Sequence, residues 1–369
     1  MALTFSHNRL EEMKNFEESK IGTKGLSDSG LTSIPKFFIH SPQLLANVTP
    51  KSPHQTPKIA IPTIDLSGIN SPSHRPHLVA TLKEAARTWG FFHVVNHGVP
   101  QSTLDSTITA IKNFHERPEI KSNYYKREGT GVCLVKYSSN EDLFRTKPAT
   151  WYDTLQVATS CPPGPLDPEE IPEVCRKEVV EWDTCAKMVG EAVMELLSEG
   201  LGLEAGKLKE MSFSERRYMA AHCYPHCPQP DLTLGIRAHT DTAFLTVLLQ
   251  NEISGLQVKY GDEWLNVEPL QGGLIVNVGD FLQIVSNGEY KSVQHRVVAN
   301  SYKEPRISVA MFFNPSKWQE TGYHGPLPEL LSPEKPALYR NFNLEEFLHN
   351  FYSKGLDSLS LVNKMRITY

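Results

Sequence analysis

The second half of the chain constrains the fold most, because short apolar runs recur there between turn-forming residues. Eight strands are expected in this half, at residues 217–224, 244–250, 255–259, 264–267, 273–278, 281–285, 291–299 and 306–313. Strands this short and this closely spaced favour a β-sandwich or a jelly roll. We expect this half to form the core of the fold.

Helical periodicity dominates the first half of the chain. Apolar residues at helical spacing predict two helices, and short apolar runs predict two strands beside them. These four elements are expected at residues 59–66, 78–89, 91–96 and 104–111. An apolar stripe that starts at Cys185 predicts a longer helix, which ends at the glycines 200 and 202. The fold class is therefore expected to be α+β, with a mainly helical first half.

The two ends of the chain differ from the part between them. Residues 1–57 are polar and contain several prolines, so we expect an extended arm there rather than core. Near the other end, Asn343 and Glu346 form a capping-box pattern that predicts a final helix. The apolar face of that helix would be Leu344, Phe347, Leu348 and Phe351. The predicted divisions are an arm, a helical region, a jelly-roll domain and a C-terminal helix or lid, at 1–57, 58–205, 206–320 and 321–369.

Composition excludes several classes of protein. Hydrophobic residues make up 40% of the 369 residues and charged residues 21%, which is too apolar for a mainly disordered chain. A net charge of −5 gives no indication of the basic surface that binds nucleic acid. No apolar run approaches the length of a membrane span, and the first 20 residues lack the apolar stretch of a secretory signal. The six cysteines form no C-x-x-C pair, so we expect reduced thiols in a cytoplasmic protein.

Two histidines and one aspartate are candidates for a metal site. His239 and Asp241 are two residues apart, and alternation along a strand would place both on one face. His295 lies in another expected strand, between inward-facing valines. Two histidines and one carboxylate form the facial triad of non-haem Fe(II) oxygenases. The simpler alternatives are a surface histidine beside an acid for the first pair and a hydrogen-bonded core histidine for the third residue.

Arg306 is the second feature that indicates a binding site. It shares one face of an otherwise apolar strand with Ser308 and Phe312. An inward guanidinium is costly unless an anion meets it, and its fork suits a carboxylate. Tyr224 would reach the same carboxylate, and His222 shares the face of Tyr224. The alternatives are an internal ion pair for the arginine and a local hydrogen bond for the tyrosine.

These residues together resemble the 2-oxoglutarate- and Fe(II)-dependent dioxygenases of plants. The resemblance rests on His239-x-Asp241, on His295 after 53 intervening residues and on Arg306-x-Ser308. TWGFFHVVNHGVP at 88–100 resembles the N-terminal signature of that superfamily, and CYPHCPQPDLTLG at 223–235 resembles its Y-P-P-C-P-x-P segment. TKGLSDSGLTSIPKFFIHSP at 23–42 is similar to the branch of 1-aminocyclopropane-1-carboxylate oxidase homologues, which includes desacetoxyvindoline 4-hydroxylase-like enzymes.

The resemblance implies a double-stranded β-helix, the cupin-like jelly roll, and it implies roles for the candidate residues. His239, Asp241 and His295 would be the catalytic iron ligands. Tyr224, Arg306 and Ser308 would hold 2-oxoglutarate, with O2 as the second co-substrate and ascorbate in support. Further candidates, for the substrate, are His222, Phe244, Phe312 and Phe351. His222 replaces an asparagine common in the family, and His226 replaces the second proline of Y-P-P-C-P.

The implied function is oxidation, chiefly hydroxylation, of a plant specialised metabolite with release of succinate and CO2. One alternative is a 2-oxoglutarate-independent oxidase of the aminocyclopropane carboxylate type, against which the long N-terminal arm argues. The other is a non-catalytic jelly-roll protein that binds a ligand. The expected partner is a small molecule, without nucleic acid or membrane, and the protein is expected to be a monomer.

Overall fold

The computed structural model describes residues 7–45, 60–125, 134–140, 143–144, 148–161, 164–211, 214–314, 322–343, 345–347 and 359–367. Among these residues, no helix is both long enough and apolar enough to cross a membrane.

Two sheets form the centre of the molecule. The strands in chain order are β1 (Thr63–Asp65), β2 (Phe91–Val95), β3 (Val135–Ser139), β4 (Asp153–Cys161), β5 (Gly164–Pro165), β6 (Arg216–Tyr224), β7 (Leu234–His239), β8 (Leu245–Gln250), β9 (Leu256–Tyr260), β10 (Glu263–Asn266), β11 (Leu274–Val278), β12 (His295–Val298) and β13 (Arg306–Asn314). The larger sheet has the order β1-β2-β11-β8-β13-β6-β4-β3, with β5 beside β4, and the smaller sheet has the order β10-β9-β12-β7. This arrangement is the predicted jelly roll, and the α+β fold class is confirmed.

The helices are α1 (His7–Ser19), α2 (Gly22–Asp28), α3 (Pro42–Leu45), α4 (Arg75–Thr88), α5 (Gln101–His115), α6 (Pro118–Lys121), α7 (Arg176–Gly200), α8 (Lys207–Glu210) and α9 (Asp280–Val285), followed by a last helix at Leu359–Met365. Several of them cover one face of the larger sheet. Of these, α5 and α7 contact both β8 and β13. The approach of α7 depends on Gly190, where a Cβ atom would lie 2.4 Å from Cζ of Phe313. Burial of apolar surface between these helices and the sheet is the main source of stability of such a layer.

The N-terminal segment, residues 7–45, corrects one prediction. We expected an extended arm rather than core, but α1 and the stretch around Phe37 form a second apolar cluster. In that cluster Met13, Phe16 and Phe38 are buried against Trp151. The polar composition of the segment hides a few large apolar residues, and the helical spacing of Met13 and Phe16 was the available signal.

Most expected elements of the second half are present, with two exceptions. The run at 281–285 is the helix α9 and not a strand, because a short run with four apolar residues and no alternation does not distinguish a buried strand from a buried helix. The strand β7 was missed, since glycine and arginine interrupt its apolar pattern. In the first half, β3 and β4 were also missed.

The C-terminal region is described in part. The backbone N–H of Glu346 donates to Oδ1 of Asn343 at 2.7 Å, which is the helix-capping bond that the sequence pattern predicts. Phe347 is buried, as expected for the apolar face. Leu344, Leu348 and Phe351 lie outside the described residues. The division into four regions stays a prediction.

Candidate active site

Two strands of the smaller sheet bring the candidate metal ligands together. His239 ends β7, His295 begins β12, and the two are direct partners across the antiparallel pair. Asp241 follows β7 and is not part of it, so strand alternation is not what aligns it with His239. Oδ1 of Asp241 lies 3.6 Å from Nε2 of His239 and 3.5 Å from Nε2 of His295. One ligand atom from each residue falls within 4.8 Å of the others, a spacing that suits a single metal ion.

Hydrogen bonds orient both imidazoles toward that point. Nδ1 of His239 lies 2.8 Å from the carbonyl oxygen of Arg237, and Nδ1 of His295 lies 3.3 Å from that of Val293. A proton on each Nδ1 leaves the Nε2 lone pair free to bind a metal. Burial, followed by the neighbouring His295, lowers the pKa of His239 to about 4. The ring is therefore neutral at pH 7, which is the state that ligates metals.

Two donors fix the carboxylate of Asp241. The hydroxyl of Thr246 and the side-chain amide of Asn277 both donate to Oδ2, at 2.7 and 2.8 Å. Burial alone would raise the pKa of Asp241, but the two histidines and these donors bring it below its usual value. Oδ1 is left to face the histidines. The sequence did not identify either donor, although an asparagine inside the apolar strand β11 was a visible signal.

Gly279 and Asp280 form a tight turn behind the candidate metal ligands. A Cβ atom at Gly279 would lie 1.8 Å from the carbonyl oxygen of Ala243, so only glycine fits. The backbone N–H of Asp280 donates to the carbonyl of Asp241 at 2.7 Å. Burial raises the pKa of Asp280 to about 8, so it is mostly protonated at pH 7 and adds little negative charge beside Asp241. Sequence reasoning missed both residues.

Arg306 is a buried cation on the face of the larger sheet that carries Thr246. Its Nη2 donates to Oε1 of Gln250 at 2.6 Å and its Nη1 to the hydroxyl of Ser308 at 3.3 Å. Nε is buried and has no hydrogen-bond partner in the described part of the chain, and the guanidinium lies 4.9 Å from the ring centroid of Tyr224. Among the described residues, no carboxylate pairs with it. A buried guanidinium is costly unless an anion meets it, so Arg306 is a candidate anion-binding residue.

Comparison with known proteins decides the family. Residues 215–315 match the model of the 2OG-Fe(II) oxygenase superfamily, and residues 61–177 match that of the non-haem dioxygenase in morphine synthesis N-terminal. Two relatives from Arabidopsis thaliana, the 1-aminocyclopropane-1-carboxylate oxidase homologs 4 and 11, are each 44% identical. The alignments cover 96% and 98% of this chain, respectively, and 98% of each relative. The chain belongs to the 2OG-Fe(II) oxygenase superfamily.

Solved structures agree with this assignment. JOX2 in complex with 2OG, Fe and JA superposes with a TM-score of 0.80 at 30% identity, over 94% of this chain and 98% of JOX2. The rice dioxygenase for auxin oxidation gives a TM-score of 0.68 at 25% identity, over 83% of this chain and all of that one. The protein is therefore a 2-oxoglutarate-dependent dioxygenase that uses Fe(II) and O2 and acts on a small molecule. Two imidazoles and a carboxylate are a donor set that fits Fe(II).

The candidate substrate residues of this oxygenase do not all lie together. His222 is directly opposite Ser308 in the sheet, and its ring lies 5.5 Å from that of Tyr152. Phe312 shares the face of Ser308 and lies 6.4 Å from the ring of Tyr218. Phe244 is fully buried in the apolar cluster beneath the helices, so the structure does not group it with His222. Phe351 lies outside the described residues.

Proposed function

We propose that this enzyme hydroxylates a plant specialised metabolite and releases succinate and CO2. The observation that carries the proposal is Arg306, a fully buried guanidinium without a carboxylate partner among the described residues, on the same sheet face as the residues that orient Asp241. A dicarboxylate co-substrate would supply the missing anion. Arginine suits this task because its fork of N–H groups donates to both carboxylate oxygens at once.

Each residue of the site has a distinct task in this proposal. His239, Asp241 and His295 hold Fe(II), while Thr246 and Asn277 keep the carboxylate ligand in place. Fe(II) held there would activate O2, the oxidant, which would take two electrons from 2-oxoglutarate as succinate and CO2 form and two from a C–H bond of the substrate.

The anion-binding residues complete the site. Arg306 and Ser308, with Tyr224 beside them, bind the distal carboxylate of 2-oxoglutarate and so fix its orientation. Gln250 holds the guanidinium in position from the other side. The burial of these residues excludes water from the reacting centre.

The substrate is expected to contact the part of the same face that 2-oxoglutarate leaves open. His222 and Phe312 line that part of the face, on β6 and β13.

The alignment with 1-aminocyclopropane-1-carboxylate oxidase homolog 4 covers 96% of this chain, and the N-terminal segment is integrated into the fold through its own apolar cluster. These features support a 2-oxoglutarate-dependent hydroxylase over an oxidase that dispenses with 2-oxoglutarate.

The test is turnover of a metabolite panel under ¹⁸O2 with the Fe(II)-loaded enzyme. We expect a product heavier by one ¹⁸O atom, formed only with 2-oxoglutarate and accompanied by one succinate per product. The Arg306→Gln variant serves as control and should lose the reaction at ordinary 2-oxoglutarate concentration. Consumption of aminocyclopropane carboxylate without 2-oxoglutarate would instead establish the other oxidase type, and iron binding without succinate formation would indicate a non-catalytic protein.

A further inference from the structure

A strip of polar residues lies on the metal-facing side of the larger sheet, away from the residues with proposed roles. Direct cross-strand partners point to the same side of a sheet. Thr246, which contacts Asp241, is paired with Phe312, so the even-numbered residues of β13 face the metal ligands. By the same pairing Ser308 lies opposite His222, and His222 lies opposite Thr154.

The strip consists of Ser138 on β3 and of Thr154 and Gln156 on β4. Ser138 is directly opposite Thr154, and Gln156 is the next residue on that face of β4. All three side chains are more than nine-tenths buried, with 8%, 0% and 4% exposure. Within the described part of the chain, no hydrogen-bond partner is found for Oγ of Ser138, Oγ1 of Thr154 or Oε1 of Gln156.

Three adjacent buried groups of this kind are costly in the free protein. An unsatisfied buried hydroxyl or amide oxygen costs about 1–3 kcal/mol, so folded proteins rarely keep several together without use. The odd-numbered neighbours Leu155 and Val157 on β4 pack into the helix-covered core, where apolar side chains avoid this cost. On the helix-covered side of β4, the buried Asp153 is hydrogen-bonded to α2, so the unsatisfied polar groups of the strip lie on the side that faces the metal ligands.

Small side chains separate the strip from the rest of the site. Gln156 pairs with Ala220, and Ala220 pairs with Ala310, so two alanines form the surface between β4 and β8. At about 4.8 Å between neighbouring strands, β4 is roughly 10 Å from β13 and roughly 14 Å from β8. A molecule that lies across the alanines would reach from the strip toward the candidate metal ligands.

We infer that the substrate carries an uncharged hydrogen-bonding group, a hydroxyl, which binds to Thr154, Gln156 and Ser138 at a distance of roughly 10 Å from the carbon to be oxidised. The inference rests on the proposed function and adds the class of substrate. A hydroxyl donates to Oε1 of Gln156 and accepts from Thr154 or Ser138. An anion is disfavoured because the three groups are neutral, and Lys136, opposite Gln156, already has an interaction of its own.

The probes are 4-(4-ethylphenyl)phenol and 4-ethylbiphenyl, which differ only in the hydroxyl and carry oxidisable C–H bonds at the far end. Succinate formation is measured with the full-length Fe(II)-loaded enzyme, with and without each probe. We expect the phenol to stimulate succinate formation with a kcat/KM at least about tenfold above that of the biphenyl, because one hydrogen bond to an otherwise unsatisfied buried group is lost. Equal stimulation by the two probes, or none by either, overturns the inference.

Near-isosteric variants locate the effect. Thr154→Val and Gln156→Met should bring the kcat/KM values of the two probes close to parity. Thr233→Val is the matched control, since Thr233 also has a buried hydroxyl without a partner among the described residues but precedes β7 outside the strip. It should keep the wild-type preference.

Unfolding temperatures of the variants separate these results from damage to the fold. A preference that survives in both Thr154→Val and Gln156→Met refutes the strip as the binding group. Absence of 2-oxoglutarate-dependent succinate formation from the wild-type enzyme itself would refute the proposed function, which distinguishes the two failures.

Discussion

Two buried arginines on adjacent strands show how differently the two faces of the larger sheet are built. Arg217 of β6 lies on the helix-covered side, where Nε and Nη2 bind the carboxylate of Asp183 on α7 at 2.8 and 2.7 Å. Arg306 of β13 lies on the metal-facing side and contacts only neutral partners among the described residues. The charge of Arg217 is neutralised within the chain, whereas we propose that the charge of Arg306 is neutralised by a ligand.

The same division holds along whole strands. On the helix-covered side Met219, Val309 and Met311 belong to the main apolar cluster. On the other side Thr246 and Asn277 orient a carboxylate, and Thr154 has no partner within the described part of the chain. We infer that one face supplies stability and the other supplies function, so substitutions on the two faces should differ in what they change.

The largest effect is expected from loss of a metal ligand on the functional side. His239→Ala should abolish iron binding and turnover, because two remaining ligands no longer form a facial set. Iron content after anaerobic loading and succinate formation are the measurements. His226→Ala is the control, since the His226 ring contacts the carbonyl of Tyr302 and lies away from the candidate metal ligands. Normal turnover by the His239 variant would reject the metal assignment.

The second-largest effect is expected from Arg306, with Arg217 as its comparison. Arg306→Gln should raise the apparent KM for 2-oxoglutarate by roughly a hundredfold to a few thousandfold, because about 3–5 kcal/mol is lost when one partner of a buried ion pair is removed. Arg217→Gln should lower the unfolding temperature and leave this KM unchanged. If both variants changed the KM equally, the two faces would not have separate roles.

A smaller effect is expected from a residue that contacts a metal ligand without being one. Asn277→Ala removes a donor to Asp241 and should weaken Fe(II) binding or activity about 10- to 100-fold. Competitive titration with a metal-sensitive dye measures the affinity. Asn266→Ala, on the exposed edge strand β10, should bind iron as the wild type does. Unchanged affinity in the Asn277 variant would contradict the orienting role.

The smallest effect on turnover is expected from two neighbours on β13. Phe312→Ala should shift the preference between substrates by about tenfold, the lower end of the range for a changed contact in an apolar pocket, and should keep succinate formation in the absence of substrate. Met311→Ala should lower the free energy of unfolding by about 2–5 kcal/mol and leave substrate preference unchanged. Denaturant unfolding and the ratio of kcat/KM for two substrates separate these outcomes.

Local patterns in the sequence predict what depends on one strand at a time. The strand β13 and the side-by-side placement of Arg306 and Ser308 follow from alternation alone. Gln250 escapes such reasoning, because its contact with Arg306 depends on how β8 pairs with β13. Local periodicity does not specify the register between strands that are distant in the sequence. The buried N-terminal segment was missed for a related reason, since Trp151 covers Phe38 from more than a hundred residues away.

The contact between α2 and β4 has a consequence for exchanging parts between relatives. The carboxylate of Asp153 accepts hydrogen bonds from the backbone N–H groups of Thr23 and Lys24 and from the Thr23 hydroxyl. A Cβ atom at Gly22 would lie 2.5 Å from that carboxylate. Tyr152 and Thr154, on either side of Asp153, face the opposite side of the sheet. A chimera that takes its N-terminal segment from a relative without the matching β4 would therefore disturb the wall of the site. The two segments should be exchanged together.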